Sequence, residues 1–267
     1  MRNSVLFLSF SLIQLLVFSP GFSFVSPETG TGSVVRNYAI GTTSDPIQID
    51  GVLSEDIWNR VEVATGFWMS YPVDDREVEE HLQTEVRMTS DEQFLYIAAV
   101  CYGPEEYVIK TLKRDKEFWE GDGFGVVIDP VNEQTNGFVF HINPAGVQAE
   151  YLVTGQTGRR REPEPGQGLK GFNLAWDNKW LSEVTTYPDR WIAELAIPFK
   201  SLRFEADKSN WGINFFRRDA SNNSTHTWAP VPIEFFEIEL EDVWFDFVYH
   251  GICRTTKLIK VFCIVIL

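Results

Sequence analysis

Trp119 and the three residues that follow it form the part of the sequence that most clearly offers chemistry. The indole stands in a polar, glycine-containing lead-in, Trp119-Glu-Gly-Asp122, directly before the apolar run from Gly123 to Asp129. Loops at the ends of strands often carry binding residues, because the sheet beneath holds them in place. A flat indole can stack on the apolar face of a ligand while neighbouring polar side chains bond to its edge. The stretch therefore predicts a ligand platform, and a role in the hydrophobic core is the alternative for Trp119.

Catalytic arrangements have weaker support in the sequence. Four acids could supply the carboxylate pair of a glycosidase: Asp122, Asp129, Glu150 and Asp177. Nothing in the sequence brings two of them together. The four histidines occur singly, without metal-ligand spacing and without a nucleophile motif. The three cysteines form neither a disulfide framework nor a zinc motif. We therefore expect a chain that is not catalytic by itself.

Short strands must position these residues. The runs Gly123 to Asp129 and Gly137 to Asn143, with a polar loop between them, predict a β-hairpin. About nine or ten such apolar runs, separated by turn residues, follow one another along the chain. The one helical pattern is short and surrounds Trp58, whose ring we expect in the core. The predicted fold class is therefore all-β, a two-sheet antiparallel β-sandwich of the jelly-roll kind with one short N-terminal helix.

The N-terminus is typical of an export signal. Arg2 precedes the apolar run from Val5 to Phe18, and Gly21 and Ser23 supply small residues before a cleavage site. We therefore predict a signal peptide over residues 1–23, which would direct the protein to the periplasm, the outer membrane or the extracellular space. A membrane anchor is the alternative, but the run is short for a bilayer span.

The remaining residues divide into three parts. Residues 24–44 form a flexible lead and residues 45–238 form the sandwich. Residues 239–267 are an atypical tail, which is either the truncated or misread end of a longer protein or a final edge strand. With a formal net charge of −15, the chain is unsuited to nucleic acid or anionic membrane as a partner.

Several pieces in this order resemble the family 9 carbohydrate-binding module and the wider DOMON-like group of β-sandwiches. Over residues 47–232 these pieces are Ile49-Asp-Gly51, Ser54-Glu55, Trp58, Phe94-Leu-Tyr-Ile97, Trp119-Glu-Gly-Asp122, Val127-Ile-Asp129, Phe140-His-Ile-Asn143, Gly146, Trp191-Ile-Ala-Glu194, Ile197-Pro198 and Trp211-Gly-Ile-Asn214. The whole pattern is similar to the N-terminal module of exported bacterial proteins in which a predicted outer-membrane β-barrel region follows. A C-terminal barrel domain, absent from this sequence, is therefore an expected partner.

The resemblance implies binding of an oligo- or polysaccharide between two aromatic rings. Trp119 matches the first ring by its place before the strand, and Trp228 matches the second by its late position. Arg114, Asp122, Asn136 and Asn214 are the candidate partners of the sugar hydroxyls. A pyranose has an apolar face of C–H groups that suits an indole, and its hydroxyls require polar neighbours.

The resemblance also implies structural calcium, for which the loops around Asp74-Asp75 and Asp115 are candidates; solvated surface acids are the alternative. On this basis we expect the recognition module of an exported polysaccharide-processing or cell-envelope protein. Two alternatives stay open: a structural module that docks a neighbouring barrel without binding sugar, and a fragment of a glycoside hydrolase.

Overall fold

The computed structural model describes residues 36–104, 106–115, 120–132, 136–154, 172–173, 175–204, 210–231 and 261–263. Within them the chain forms fourteen β-strands and three 3-10 helices, Asp56–Asn59, Glu80–Leu82 and Phe199–Ser201. The strands are β1 Tyr38–Thr42, β2 Val63–Ala64, β3 Trp68–Tyr71, β4 Thr84–Ser90, β5 Phe94–Tyr102, β6 Gly123–Asp129, β7 Asn136–Ile142, β8 Gln148–Thr154, β9 Phe172–Asn173, β10 Leu181–Tyr187, β11 Arg190–Pro198, β12 Asn210–Asp219, β13 Ser224–Thr227 and β14 Val261–Cys263. None of the helices in these ranges is long and apolar enough to cross a membrane.

Hydrogen bonding arranges the strands in two sheets. The first sheet has the order β10-β11-β5-β4, with β2 and β1 both pairing with the far side of β4. The second sheet has the order β3-β13-β12-β6-β7-β8-β9. Paired strands are antiparallel except that β1 runs parallel to β4 and β14. Because β14 pairs with both β1 and β12, it connects the sheets. The predicted all-β sandwich is confirmed, and so is the hairpin of β6 and β7.

The main core lies between the two sheets. Side chains of a strand alternate between its faces, so every second residue points inward. In β6 the inward residues are Phe124, Val126 and Ile128, which pack in one cluster with inward residues of the first sheet. The other face of the second sheet is also buried, as Val127 and Tyr151 show. Strands covered on both faces are apolar at nearly every position, which explains the continuous apolar runs of the sequence.

The short N-terminal helix covers the outer face of the first sheet. Trp58, on the 3-10 helix Asp56–Asn59, is buried in a second, smaller cluster with Tyr96 and Ala98 of β5. Its indole N–H donates to Glu194 Oε1 over 3.1 Å. The expectation that Trp58 fills a core is therefore confirmed, although this core lies outside the space between the sheets.

Arg217 connects the two sheets through hydrogen bonds. This β12 residue is 4% exposed, and its Nη1 donates to the carbonyl oxygens of Tyr102, over 2.7 Å, and Leu82, over 2.9 Å. The acceptors stand at the end of β5 and just before β4, in the other sheet. A buried guanidinium needs such acceptors, since leaving its donors unpaired costs more than each bond contributes.

Two short strands lie in parts of the chain that the sequence places outside the sandwich. β1 lies within the predicted lead of 24–44, so that prediction is wrong for residues 38–42. Its Tyr38 is 1% exposed and accepts a 2.7 Å hydrogen bond from the Met88 backbone N–H, fifty positions away. β14 lies within the predicted tail and is paired on both sides, so it is not an edge strand. The signal peptide of 1–23 and most of the tail lie outside the described residues.

The Gly125→Ala substitution tests the close packing of β6. A Cβ at Gly125 would lie 2.2 Å from Phe216 Cζ, so the ring has to move. We expect a loss of about 1–3 kcal/mol in the free energy of unfolding, the usual cost of overpacking, measured by urea denaturation. Gly41→Ala is the control, because the nearest atom to its Cβ would be 3.9 Å away. Equal stability of the two variants would contradict this packing.

A second prediction concerns acid. Burial lowers the pKa of His226 to about 3, and the positive charge of Arg217 acts in the same direction. Burial also lowers the pKa of His141 to about 3. The unfolded chain binds these protons below its ordinary histidine pKa of about 6.5 whereas the folded chain does not, so acid favours unfolding. Each histidine should reduce stability by up to about 1.4 kcal/mol per pH unit between these values.

Urea denaturation between pH 7 and pH 4 measures this dependence. We expect a shallower decline for His226→Asn than for the unchanged protein. The matched control is His81→Asn, because His81 is exposed. A decline that is equally steep in all three proteins would exclude His226 as its source.

Candidate functional site

The most connected polar group on the described surface centres on Arg114. Its guanidinium donates to Gln148 Oε1 over 2.6 Å and to the backbone oxygen of Asn178 over 2.8 Å, and it also donates to Glu150. The Arg114 side chain is 41% exposed, whereas Glu150 is fully buried. We call these four residues, Arg114, Gln148, Glu150 and Asn178, the Arg114 cluster. It combines a fixed, solvent-facing cation with amide and carboxylate groups.

Glu150 anchors the cluster. Its Oε1 also accepts from the Asn178 backbone N–H, and its Oε2 accepts from the Trp180 indole N–H, each over 3.1 Å. Burial raises the pKa of Glu150, while the hydrogen bonds from Arg114, Trp180 and Asn178 oppose that shift. Burial lowers the pKa of Arg114, but the hydrogen bond and charge of Glu150 outweigh it, so the net shift is upward. Glu150 therefore holds the guanidinium charged and in a set orientation.

Two elements of the sandwich bring the cluster together. Gln148 and Glu150 lie on β8 of the second sheet, and Asn178 lies just before β10, the edge of the first sheet. Gln148 Nε2 donates to Ser182 Oγ of β10 over 2.8 Å. The cluster therefore lies at the edge of the sandwich where β8 of the second sheet contacts β10 of the first. We call this edge the seam.

The segment 106–115, which carries Arg114, crosses one end of the second sheet. It is fixed first at Val108, whose backbone N–H donates to Asp122 Oδ2 over 2.6 Å. Asn143 then donates to the oxygen of Thr111 over 3.3 Å. These contacts lie at the start of β6 and the end of β7, and the segment reaches β8 where Asp115 Oδ1 accepts from the Glu150 N–H. Arg114 therefore projects from a loop with three fixed points.

Two of the predicted hydroxyl partners have other functions in the fold. Asp122 is 6% exposed, and its oxygens accept from the backbone N–H groups of Val108, over 2.6 Å, and Ala220, over 3.2 Å. Asn214 is 4% exposed and exchanges two hydrogen bonds with the backbone of Ala229. The structure therefore gives both residues loop-fastening contacts and does not bring them to Arg114.

Of the two predicted aromatic rings, Trp228 is the one that lies among the described residues. Trp119 lies outside the described residues, as does the side chain of Asn136, which begins β7. Trp228 is 3% exposed, packs against Phe215 and Tyr38, and has the Arg36 guanidinium 5.8 Å from its ring centroid. Its ring is therefore packed among these neighbours, and its place in a sugar platform stays a prediction.

The acids proposed as a glycosidase pair are distributed as follows. Asp122 fastens the crossing loop, and Asp129 accepts from the N–H groups of Val131 and Asn132. Asp177 is 82% exposed and lies 3.7 Å from Arg114, which also binds Glu150. The structure thus brings two of these four carboxylates, Glu150 and Asp177, to one guanidinium. A glycosidase needs one acid free to protonate the leaving group, whereas Glu150 is fully buried and bonded at both oxygens.

The residues considered for calcium show no metal-binding group within the part of the chain that the structure describes. Across the described ranges no three acids, histidines or cysteines converge as a metal-binding group. Asp115 is held by the Glu150 N–H and lies 3.6 Å from Arg114, and Asp75 lies 3.9 Å from Arg76. Arg114 would repel a cation at Asp115, so this carboxylate fits a structural role. Structural calcium stays a prediction.

With the fold and the seam cluster defined, the molecule can be placed among β-sandwich binding modules. The profile of the family described as "Carbohydrate family 9 binding domain-like" matches residues 49–231. The chain belongs to this family. The resemblance seen in the sequence is therefore confirmed, with boundaries close to the predicted 47–232.

Solved structures agree with the fold. A family 9 carbohydrate-binding module from Caldicellulosiruptor kristjanssonii, in complex with glucose, has a TM-score of 0.50 and 15% identity; the match covers 72% of this chain and 85% of that one. A proposed carbohydrate-binding protein from Bacteroides uniformis also has a TM-score of 0.50 and 15% identity, covering 74% and 92%. At this identity the likeness concerns the fold alone. The comparison with curated proteins found no match.

Substitutions of Glu150 test its anchoring function. Glu150→Ala removes the acceptor of the buried Trp180 N–H and one of several acceptors of the partly exposed Arg114, so we expect a loss of about 1–3 kcal/mol in the free energy of unfolding. Glu150→Gln retains one acceptor oxygen and should cost less. Denaturation monitored by tryptophan fluorescence measures both, with Glu183→Ala on the exposed face of β10 as control. Indistinguishable stabilities of Glu150→Ala and Glu183→Ala would exclude the anchoring function.

Proposed function

We propose that this chain is the carbohydrate-binding module of an exported polysaccharide-processing or cell-envelope protein, and that the Arg114 cluster binds the sugar hydroxyls. The observation that carries the proposal is the family match over residues 49–231. The glucose complex of the similar Caldicellulosiruptor module supports the same class of ligand.

The chemistry of the cluster suits a sugar. Each hydroxyl both donates and accepts hydrogen bonds, so it is best bound where donors and acceptors lie side by side. Three of the five N–H donors of Arg114 are used within the cluster, so its exposed part can still donate to a hydroxyl, and Asp177 supplies exposed carboxylate oxygens 3.7 Å from it. Glu150 fixes the guanidinium in advance, which reduces the entropy lost on binding.

Aromatic stacking is the second part of the proposal. Trp119 follows Arg114 by five positions in the sequence, close enough in the chain for an indole and a guanidinium to contact one sugar. The proposed export rests on the N-terminal pattern of residues 1–23. A following barrel domain remains part of the proposed cellular context.

Binding to immobilised and soluble glycans tests the proposal. Isothermal titration with glucose, cello-oligosaccharides and xylo-oligosaccharides gives the affinity, and affinity electrophoresis extends it to polymers. We expect Arg114→Ala to weaken binding roughly ten- to hundredfold, the worth of a lost charge-assisted hydrogen bond. Arg114→Lys keeps the charge but not the planar fork, so its affinity should lie between the two.

Arg60→Ala is the matched control, because Arg60 is an exposed arginine that pairs with Asp45 far along the chain from the cluster. Trp119→Ala should reduce retention as well, and unchanged retention would remove Trp119 from the site. Absence of binding to every glycan would favour the docking module. Release of reducing ends by the purified domain would favour the hydrolase fragment.

A further inference from the structure

Trp176 is a half-buried tryptophan between β9 and β10. Its indole packs on two rings of β7, with centroid distances of 5.2 Å to Phe138 and 5.7 Å to Phe140. Both phenylalanines belong to the main core, so Trp176 lies at the rim of that core and keeps part of its surface open to solvent. An aromatic side chain at such a rim either seals the core or also offers its free surface to a ligand.

Contacts through the core connect Trp176 to the Arg114 cluster. Phe140, on which Trp176 packs, stands directly opposite Glu150 in the pairing of β7 with β8. Opposite residues of antiparallel strands have Cβ atoms about 5 Å apart. Trp180 packs on the same Phe140 ring over 5.5 Å and donates its indole N–H to Glu150. Since Glu150 also binds Arg114, two side chains separate the Trp176 indole from the guanidinium.

The backbone on either side of Trp176 is fastened. Before it, Asn173 Oδ1 accepts from the Ala175 N–H over 3.0 Å, and the Asn173 carbonyl accepts from the Trp176 N–H over 3.3 Å. After it, the Asn178 N–H donates to Glu150 Oε1 over 3.1 Å. The indole is therefore oriented before a ligand arrives, which reduces the entropy lost on binding.

We propose that Trp176 is an aromatic stacking residue of the sugar site at the Arg114 cluster. The inference rests on the proposed function and adds a residue to it, since the resemblance to the family implied Trp119 and Trp228 for this purpose. A pyranose whose C–H face stacks on the exposed part of the indole presents its hydroxyls at the edge of the sugar ring. The polar groups for those hydroxyls adjoin, because Asp177 follows Trp176 and its carboxylate lies 3.7 Å from Arg114.

Substitutions of Trp176 separate stacking from sealing of the core. Isothermal titration with cello-oligosaccharides and xylo-oligosaccharides compares Trp176→Leu and Trp176→Phe with the unchanged protein. Leucine keeps apolar contact with β7 but has no flat face, so we expect affinity to fall about two- to tenfold, the contribution of aromatic contact beyond buried area. Phenylalanine retains a smaller face, so its affinity should lie between the two. Urea denaturation of each variant verifies that it is folded.

Trp68→Leu is the matched control for the loss of a tryptophan. Trp68 is also half-buried, but it lies on β3, at the opposite edge of the second sheet from β9. The affinity of this variant should equal that of the unchanged protein.

The indole N–H resonance of Trp176 gives a second readout, which does not depend on the stability of a variant. It is the resonance that is missing from the spectrum of Trp176→Phe, and the resonance of Trp68 is assigned in the same way with Trp68→Leu. During titration of the unchanged protein with a cello-oligosaccharide, we expect the Trp176 resonance to shift and the Trp68 resonance to stay in place.

Unchanged affinity in both Trp176 variants, or an equal loss in Trp176→Leu and Trp68→Leu, would overturn the inference. So would a Trp176 resonance that stays in place while the oligosaccharide binds. In each of these cases the proposed function stands if Arg114→Ala still weakens binding. Failure of the unchanged protein to bind any glycan would overturn the proposed function, and the inference with it.

Discussion

A carboxylate without solvent contact persists only where N–H donors surround it, and the sandwich depends on two such groups. Glu150 receives the indole N–H of Trp180 and the backbone N–H of Asn178. Glu194 receives the indole N–H of Trp58 and the backbone N–H groups of Asp50 and Gly51. Burial raises the pKa of Glu194 to about 7, although those backbone donors oppose it. In both places one buried acid on a strand binds the backbone of an irregular segment. Hydrophobic contact alone would not orient that segment.

The same arrangement would favour binding of a ligand at the Arg114 cluster, the proposed site. An arginine side chain on an ordinary surface loop populates many rotamers, and ordering it on ligand binding costs conformational entropy. Arg114 already donates to Gln148, Glu150 and the Asn178 carbonyl. Its remaining exposure, 41% of the side chain, faces solvent in one orientation. The stabilisation of the fold and the preorganisation of the candidate site therefore have a common source.

The sequence predicted the architecture well, because strand and turn signals are local. The hairpin of β6 and β7 and the burial of Trp58 followed from such signals. β1 was missed because Tyr38 is fixed by Met88, fifty positions away, and a Gly/Ser/Thr-rich stretch precedes it. Of the seam, only Arg114 was identified as a ligand residue. Gln148 and Asn178 were not, since their contacts to Arg114 span 34 and 64 positions.

Alternation in β8 does not identify the face that points to the core. The strand presents Gln148, Glu150 and Leu152 to one side and Ala149, Tyr151 and Val153 to the other. The apolar set would ordinarily be assigned to the core. In the structure the register places Glu150 opposite Phe140, a residue of the main core, so the polar set lies on the core side. Tyr151 and Val153 are buried on the opposite face of the sheet. Where both faces of a sheet are buried, the alternation of polar and apolar residues does not determine which face points to the main core.

The residues that made the family recognisable are, for the most part, residues that hold the scaffold. The polar side-chain atoms of three such residues bond largely to backbone groups of this chain; they are Asp122, Glu194 and Asn214. Such contacts recur wherever the same loops must be fastened to the same sheets, so they mark the fold and carry no information about a ligand. Arg114, which keeps 41% of its side chain exposed, stands outside that pattern. The residues that identify the family therefore indicate the fold, and the choice of sugar has to depend on other, exposed side chains.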